Sequence, residues 1–336
     1  EMLFRQSEKW TRAKPQRGAR ESMKREAKRL MGDAKRLERQ AINSILDQAD
    51  VICATTTFNP DTLADRWFEL AVIDEACQST EPGCWVPLLR SDRVVLAGDH
   101  QQLPPTVLSS EAAQQGFAKS LMERQIELYG DDVAKMLTVQ YRMHHQIMNF
   151  SSSQFYQNEL KAHPSVVDHT LDEIAGIEPS EFSGRIMSFI DTAGAGWDEE
   201  LEPNGLSKRN PNEANLVVKK VQTLLNAGLP KNDIAVIAPY AAQVRLLRDL
   251  FAGEGPEVDT VDGFQGREKE AVVISLVRSN PQNEIGFLAD RRRMNVALTR
   301  ARRKLIVIGD SSTLGIDEFY REFFEYVESI SGSLTV

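Results

Sequence analysis

Two acidic side chains at the end of an apolar run are the first candidates for chemistry in this sequence. Asp74 and Glu75 directly follow the apolar residues 70–73. Because open parallel sheets place ligand sites at the carboxyl ends of strands, both carboxylates are predicted to face a cleft. There, one could hold Mg²⁺ and the other could orient an attacking water. For these two residues alone, an acidic pair that only caps the next helix is an equally good interpretation.

A second apolar run, residues 94–97, leads into a polar loop. Gly98 permits a tight exit from the strand, and the Gln102 amide offers both a donor and an acceptor where a γ-phosphate or a lytic water would lie. A purely structural loop explains the glycine and the prolines that follow. It gives no reason for a polar run at the same sheet edge as Asp74.

The candidate residues follow short apolar runs, which alternate with helical segments along the chain and are predicted to be strands. They cover residues 51–54, 70–73, 94–97, 186–190, 234–238, 272–276 and 305–308. Near-continuous apolar runs indicate parallel strands that are buried on both faces, so the predicted fold class is α/β. Residues 158–184 and 192–212 are rich in polar residues, Pro or Gly, and we predict loops or mobile surface segments there.

The N-terminal region is basic and helical in character. Residues 1–40 hold 13 Lys and Arg against 6 Asp and Glu, although the whole chain carries a net charge of −9. Apolar residues spaced by threes and fours predict a helix over residues 21–48 with one narrow apolar stripe. This basic arm could contact phosphates, but from the charge alone a solvated charged helix is the favoured interpretation.

The bulk composition is that of an ordinary globular protein. With 336 residues, of which 41% are hydrophobic and 26% charged, the chain is long enough for two domains. It has neither a run of about 20 apolar residues nor an apolar run behind a basic start, so we expect a cytoplasmic or nuclear protein without a membrane partner. The cysteines Cys53, Cys77 and Cys84 form no C-x-x-C pair, which argues against a disulfide framework or a zinc site.

Five motifs follow one another in a fixed order: V-I-D-E-A-C-Q at residues 72–78, G-D-H-Q-Q-L-P-P-T at 98–106, Q-Y-R-M at 140–143, T-V-D-G-F-Q-G-R-E at 260–268 and M-N-V-A-L-T-R-A-R at 294–302. Together they resemble the Upf-like group of superfamily 1B helicases, which includes the immunoglobulin mu-binding helicase and its bacterial relatives. The resemblance runs from about residue 25 to about residue 312.

This resemblance implies two RecA-like parallel-sheet domains, the first one incomplete, with an N-terminal helical stalk. We predict a basic stalk of an accessory domain over residues 1–50, the rest of the first RecA-like domain over 51–139, and the second over 140–336. The resemblance further implies a monomeric motor that closes on ATP and Mg²⁺. Such a motor moves 5′ to 3′ along single-stranded DNA or RNA.

The resemblance also gives roles to single residues of the nucleotide site. It implies that Asp74 is the Mg²⁺ carboxylate, Glu75 the water-orienting base and Gln102 the γ-phosphate sensor. Arg142 and Arg300 resemble the two arginines with which the second domain neutralises charge on the transferred phosphoryl group.

The loop 260–268 and several strand ends are further candidates. Gly263 and Gly266 allow the backbone close to a ligand, and Glu268 is the expected ribose hydroxyl acceptor. A plain strand–loop–helix turn is the alternative for this loop. Contacts to a nucleic-acid strand are expected at Thr55, Thr56, Thr57, Pro105, Thr106, Tyr240 and Thr260. For Tyr240, a role as a core or loop anchor is the more common one for a single aromatic residue.

The sequence departs from the family's pattern in one respect. No G-x-x-x-x-G-K-[ST] phosphate-binding loop occurs in the 336 residues, and the chain opens with Glu1. Three interpretations follow: a truncated helicase, a non-hydrolysing single-strand binding protein, or one half of a split helicase whose loop comes from another chain. Because only hydrolysis uses them, the retained residues favour truncation: Asp74, Glu75, Gln102, Arg142 and Arg300.

Overall fold

Strands and helices alternate along most of the chain in the computed structural model, which describes residues 19–203 and 205–336. The strands are β1 (Phe68–Ile73), β2 (Ser91–Leu96), β3 (Val139–Gln140), β4 (Lys161–Ala162), β5 (Met187–Asp191), β6 (Glu200–Leu201), β7 (Lys208–Arg209), β8 (Ile234–Ala238), β9 (Glu257–Thr260), β10 (Lys269–Ser275), β11 (Ala301–Gly309) and β12 (Ser333–Thr335). The helices are α1 (Ala19–Gln48), α2 (Glu81–Leu88), α3 (Ser110–Ala112), α4 (Leu121–Tyr129), α5 (His145–Phe155), α6 (Glu181–Gly184), α7 (Pro211–Asn226), α8 (Ala241–Leu250), α9 (Arg291–Leu298), α10 (Ser311–Leu314) and α11 (Glu318–Ser329).

The largest sheet has six parallel strands in the spatial order β12-β5-β11-β10-β8-β9. All five residues of β8 are buried, as are the last five of β10. These strands contain the apolar runs 186–190, 234–238, 272–276 and 305–308 in whole or in large part, so the α/β class and the strands of the second half are confirmed.

Helices cover both faces of this sheet. Alternate side chains along each strand point to opposite sides, and since the strands are apolar, both sides must be buried. On one face, Ile237 and Ile274 belong to a buried cluster with residues of α5, α9 and α11. On the other, Val236 and Val273 belong to a cluster with residues of α7 and α8. Full burial of each such side chain stabilises the fold by about 1.5–3 kcal/mol, so the apolar runs specify a sheet that is covered on both faces.

The chain divides into two compact units, Glu1–Ala71 with Pro82–Val95, and Val72–Glu81 with Leu96–Val336. The first unit contains α1, which confirms the helix predicted over residues 21–48. Along its apolar stripe Ala27 is buried, whereas Leu37 and Ile45 are 59% and 68% exposed. Residues 1–18 of the basic arm lie outside the described residues.

The prediction of buried strands is wrong for the first half of the chain. Residues 51–54 form no strand, and β1 and β2 form a sheet of two strands among the described residues. Leu70 in β1 and Val95 in β2 are 45% and 48% exposed. The physical reason is that a parallel strand is buried on both faces only within a wider, helix-covered sheet, and no third described strand lies beside these two.

Residues 158–184, predicted to be a loop or a mobile surface segment, pack against the rest of the protein. Val166, Leu171 and Ile177 are 6%, 1% and 6% exposed, and Leu171 and Ile177 belong to one of the two core clusters. This segment also ends in the short helix α6. The prediction of a loop rested on the polar residues of this segment and missed the apolar residues between them, which contribute to the core.

The predicted domain limits 1–50, 51–139 and 140–336 describe modules of a family, whereas the two compact units reflect contacts within this chain. Those limits stay a prediction. Among the helices that the structure describes, none combines the length and the hydropathy that a bilayer crossing requires.

Candidate functional site

The acidic pair lies in a turn at the carboxyl end of β1, and both side chains are exposed. Asp74 Oδ1 accepts a hydrogen bond of 3.0 Å from the backbone N–H of Glu75, and Glu75 Oε2 accepts one of 2.7 Å from Gln78 Nε2. Glu75 has a φ of 49°, a left-handed conformation that non-glycine residues adopt infrequently. The turn therefore holds both carboxylates towards solvent, where a cation can reach them.

The loop after β2 lies directly against this turn. Ala76 N–H donates to the carbonyl of Ala97 at 2.8 Å. A Cβ at Gly98 would lie 3.1 Å from the backbone nitrogen of Ala76 and 3.3 Å from Cys77 Sγ. The close approach of two backbone segments therefore favours glycine at position 98, and it brings the two strand ends together.

Gln102 has a fixed orientation in this loop. Its Nε2 donates to Asp99 Oδ2 at 2.8 Å, and its Oε1 accepts from Arg300 Nη2 at 3.4 Å. An ionised carboxylate only accepts and a guanidinium only donates, so the amide can fit in one direction alone. The residue that was predicted to sense the γ-phosphate thus contacts one of the two predicted catalytic arginines.

Arg300 is almost completely buried, with 2% of its surface exposed. Its Nε donates to the Val296 carbonyl of α9 at 2.9 Å, and its Nη2 lies 3.1 Å from Thr299 Oγ1. Burial, with a smaller contribution from the neighbouring Arg142 charge, lowers the pKa of Arg300 to about 10. The guanidinium is therefore charged at neutral pH and is held in place by residues at the end of α9 and in the turn that follows it.

Arg142 lies near Arg300 but has a different partner. Its Nε forms a short ion pair with Glu268, and its Nη1 donates to the Thr299 carbonyl at 3.2 Å. Arg302 lies 3.6 Å from the other oxygen of Glu268. The predicted ribose acceptor therefore bridges two arginines in this structure. Because Arg142 and Glu268 are both partly exposed, the ion pair is worth little and can open for a ligand.

The structure thus brings Gln102, Arg142, Glu268 and Arg300 together. The charge of Glu75 also acts on the pKa of Arg300, which places Glu75 within electrostatic reach of it. Asp74 makes no side-chain contact with these four residues in the described part of the chain. Glu75 and Gln102 follow β1 and β2, whereas Glu268 and Arg300 directly precede β10 and β11. The site combines two cations, two carboxylates and one amide, a set of groups that suits a bound phosphate chain.

The glycine-containing loop after β9 has mixed properties. Gly266 has a φ of 76° and open space around the position of a Cβ, so its backbone is accessible. Thr260 Oγ1 accepts from the Gly263 N–H at 3.2 Å, so this hydroxyl stabilises the turn. If Thr260 contacts a phosphate as predicted, its Oγ1 would have to make that contact in addition to the hydrogen bond from Gly263.

The remaining candidates for strand contacts are placed differently from one another. In the first unit, the hydroxyls of Thr55 and Thr57 lie 3.2 Å apart and are exposed, while Thr56 is half-buried. In the second unit, Pro105 is buried and Thr106 is exposed. Their contacts with a nucleic acid stay a prediction.

The ring of Tyr240 is not available for base stacking in this structure. It is 4% exposed, its hydroxyl accepts from Arg278 Nη1 at 3.2 Å, and its ring centroid lies 5.5 Å from that of Phe287. The residue is the loop anchor that a single aromatic most often is.

A buried polar network lies at the carboxyl end of β10. Glu213 of α7 is 0% exposed, and its Oε1 accepts from Ser275 Oγ at 2.7 Å and from Val277 N–H at 3.0 Å. Its Oε2 has no hydrogen-bond partner among the described residues. Burial raises the pKa of Glu213 to about 7.

We expect this carboxyl group to make folding stability fall as the pH rises. The folded state keeps the Glu213 proton up to a pKa of about 7, whereas the unfolded chain releases it near 4.5. The stabilisation is complete below about pH 4.5 and is lost as the pH rises through 7, a change of about 3 kcal/mol. In Glu213→Gln this part of the pH dependence should vanish, as measured by urea unfolding between pH 4.5 and 8. The exposed Glu254→Gln variant is the control, and equal pH dependence in both variants would contradict the expectation.

A second group with metal-binding residue types lies at the start of α5. Ligand atoms of His144, His145 and Asp168 lie within 4.8 Å of one another. However, His144 Nδ1 accepts from the Gln146 N–H at 3.0 Å, so its lone pair is used and its proton is on Nε2. His144 therefore caps the helix rather than offering a ligand.

Three further residues complete the site, and sequence reasoning did not single them out. Asp99, Tyr156 and Asn295 form a hydrogen-bonded set behind Gln102. Asp99 and Asn295 lie inside quoted motifs, at 98–106 and 294–302, and that position was a usable signal. Tyr156 follows α5 outside any of the five motifs, so only the fold identifies it.

Comparisons with known proteins identify the family of this chain. Two family models, each described as an AAA domain, match residues 117–312 and residues 4–110. The DNA-binding protein SMUBP-2 of Mesocricetus auratus is 45% identical over 312 residues, which cover 91% of this chain and 32% of that protein. The DNA polymerase alpha-associated DNA helicase A of Schizosaccharomyces pombe is 39% identical over 329 residues, 95% of this chain and 49% of that protein. An uncharacterized ATP-dependent helicase of Methanocaldococcus jannaschii is 40% identical over 312 residues, 90% of this chain and 45% of that protein.

The six-stranded parallel sheet with helices on both faces defines the general class, and the family matches define the group. The chain belongs to the AAA-domain proteins of the Upf-like, superfamily 1B helicase group, as the five motifs indicated. It spans between about a third and a half of the length of these relatives.

Proposed function

We propose that this chain is part of the motor of an ATP-dependent helicase that moves along a single nucleic-acid strand, 5′ to 3′ as the family resemblance implies. The observation that carries the proposal is the contact between Gln102 and the buried Arg300, at 3.4 Å. It joins a candidate γ-phosphate sensor to a candidate arginine finger. A protein that only binds nucleic acid has no use for that pair.

The side chains of the site divide the work of phosphoryl transfer between them. Arg300 and Arg142 would neutralise the charge that develops on the transferred phosphoryl group, and Glu75 would orient the attacking water. Because Arg142 now pairs with Glu268, ATP would have to displace that ion pair, which leaves Glu268 free for the ribose. Gln102 would then report the state of the γ-phosphate to Arg300 and the turn between α9 and β11.

Asp74 fits the role of the Mg²⁺ carboxylate. It is exposed, its Oδ1 accepts one backbone hydrogen bond, and its Oδ2 has no hydrogen-bond partner among the described residues. Carboxylate oxygens are the ligands that Mg²⁺ prefers, and a bound Mg²⁺ would offset charge on the β- and γ-phosphates. We place ATP and Mg²⁺ at this strand end.

The proposed partner is single-stranded DNA or RNA, bound by a monomeric motor. The relatives' names support nucleic acid in general, since they include a DNA-binding protein and a DNA helicase. Exposed hydroxyls at Thr55, Thr57 and Thr106 supply donors for phosphates. The accessible backbone at Gly266 supplies another.

Hydrolysis needs a phosphate-binding loop, and the 336 residues contain no G-x-x-x-x-G-K-[ST]. We therefore expect this chain alone to hydrolyse almost no ATP. Joined to a segment that carries such a loop, in the same chain or added as a second one, it should hydrolyse ATP in a strand-stimulated reaction. Steady-state phosphate release with and without single-stranded DNA or RNA measures this.

Two results would contradict the proposal. Strong hydrolysis by this chain alone would mean that the phosphates have a different cradle. No hydrolysis by any joined form, together with tight single-strand binding, would favour the non-hydrolysing binding protein.

A further inference from the structure

The hydroxyl of Tyr156 lies at the centre of a hydrogen-bonded chain that ends on Gln102. Tyr156 OH donates to Asp99 Oδ2 at 2.6 Å, and Asn295 Nδ2 donates to Tyr156 OH at 2.8 Å. Asp99 Oδ2 also accepts from Gln102 Nε2 at 2.8 Å. The four side chains come from the loop after β2, the end of α5 and the middle of α9.

The direction of every hydrogen bond in this chain follows from the chemistry of its members. The Asn295 amide nitrogen can only donate, so the single proton of the Tyr156 hydroxyl must point to Asp99. The Asp99 carboxylate can only accept, so the Gln102 amide nitrogen must face it. Arg300 can only donate, so the remaining Gln102 oxygen faces Arg300, 3.4 Å away.

The surroundings make this arrangement rigid. Asn295 is 0% exposed, and its Nδ2 also donates to the Gln101 carbonyl at 3.0 Å. Asp99 Oδ1 accepts from the Gln101 N–H at 2.9 Å. Burial and the adjacent Asp99 carboxylate raise the pKa of Tyr156 far above its usual value, so its hydroxyl keeps its proton at any physiological pH.

We propose that Tyr156 is a positioning residue that acts through Asp99 and fixes the Gln102 amide with its oxygen towards Arg300. The inference deepens the proposed function and rests on it. Without the hydroxyl, Asp99 loses one of its donors and can turn away from Gln102. The amide then has no partner that holds it in the direction Arg300 requires.

The matched pair of variants is Tyr156→Phe and Tyr326→Phe. Tyr326 is also a partly buried tyrosine, and its hydroxyl donates to the Gln146 carbonyl at 2.6 Å, away from Gln102. Both variants remove one hydroxyl and leave the ring in place. Tyr156→Phe removes two hydrogen bonds and Tyr326→Phe removes one, so Tyr326→Phe controls for the loss of a partly buried tyrosine hydroxyl away from Gln102.

The first readout needs neither nucleotide nor hydrolysis. In the 336-residue chain with ¹⁵N-labelled glutamine, the Gln102 side-chain amide signal is identified by its absence in Gln102→Ala. Tyr156→Phe should move this signal and speed its hydrogen exchange, and Asp99→Asn should do the same. Tyr326→Phe should leave the signal in place. An unchanged Gln102 signal in Tyr156→Phe overturns the proposal whatever the outcome for the proposed function.

The second readout uses the form joined to a phosphate-binding loop. Tyr156→Phe should lower the kcat of strand-stimulated ATP hydrolysis by about 10- to 100-fold, with the KM for ATP unchanged. Added to Gln102→Ala, it should cause no further loss, because both changes act on one unit. If the fold-loss in kcat of the double variant equals the product of the losses of the two single variants, the positioning role is overturned. If the unchanged joined form does not hydrolyse ATP, the proposed function fails and the amide signal alone decides the inference.

Discussion

The Arg300→Ala variant is expected to hydrolyse ATP about 10³- to 10⁵-fold more slowly than the unchanged sequence when each is joined to a phosphate-binding-loop segment. The guanidinium is 2% exposed, and Val296 and Thr299 hold it where it contacts Gln102. The guanidinium therefore needs no rearrangement to stabilise the negative charge that develops on a phosphoryl group bound beside Gln102. Arg300→Lys should recover only part of the rate, because an ammonium group cannot make the same set of planar hydrogen bonds.

Steady-state phosphate release and a separate measurement of ATP affinity test this expectation together. The control is Arg321→Ala, which removes an exposed arginine of α11. Circular dichroism must show that the Arg300 variant is folded, since it also removes a buried side chain. If the folded variant keeps a tenth or more of the rate, Arg300 is not a catalytic residue.

Glu75→Gln is expected to lower the rate of ATP hydrolysis by about 10²- to 10⁴-fold while ATP still binds. The carboxylate is exposed, and the Gln78 amide is the contact that orients it, at 2.7 Å. Glutamine has the same shape but cannot take a proton from water. The loss should therefore appear in kcat and leave the affinity for ATP nearly unchanged.

Equilibrium binding of a fluorescent ATP analogue and single-turnover hydrolysis separate these two effects. Glu69→Gln is a suitable control, because Glu69 is an exposed glutamate of the same strand, β1. Turnover within threefold of the unchanged sequence would remove Glu75 from the mechanism. An affinity that falls in step with the rate would instead assign Glu75 to nucleotide binding.

The sequence predicted the main sheet well where burial dictates composition. Strands β8, β10 and β11 are central, and a central strand that helices cover on both sides is largely apolar along its buried part. The edge strands β9 and β12 were not predicted. The sequence of β9, E-V-D-T, includes Glu257 and Asp259, because an edge strand tolerates polar residues.

The limits of composition show at residues 51–54 and in the loop 158–184. An apolar run makes a strand only where a neighbour offers unpaired backbone groups, and residues 51–54 have none among the described strands. In the loop, Leu171 and Ile177 are core residues, but isolated apolar residues between polar ones carry no periodic signal. Both errors come from tertiary contacts that a local pattern does not contain.

The site was predictable as a set of motifs but not as a set of contacts. Motif order pointed to Gln102, Arg142, Glu268 and Arg300, which the fold brings together. It did not show that Glu268 pairs with Arg142 before any ligand is present. Tyr156 could not be found at all, since its importance depends on a fold that places it beside Asp99 and Asn295.

The two-stranded sheet of β1 and β2 has a practical consequence for anyone who handles this chain in solution. Leu70, Val94 and Val95 are 45%, 39% and 48% exposed on neighbouring strands. Uncovered strands with apolar faces pair readily with strands of other molecules, which leads to aggregation. A covering protein segment or a solubility tag would shield these strands, and low protein concentration would slow their encounter. Conditions for storage should therefore be chosen around these few valines and leucines before any kinetic work begins.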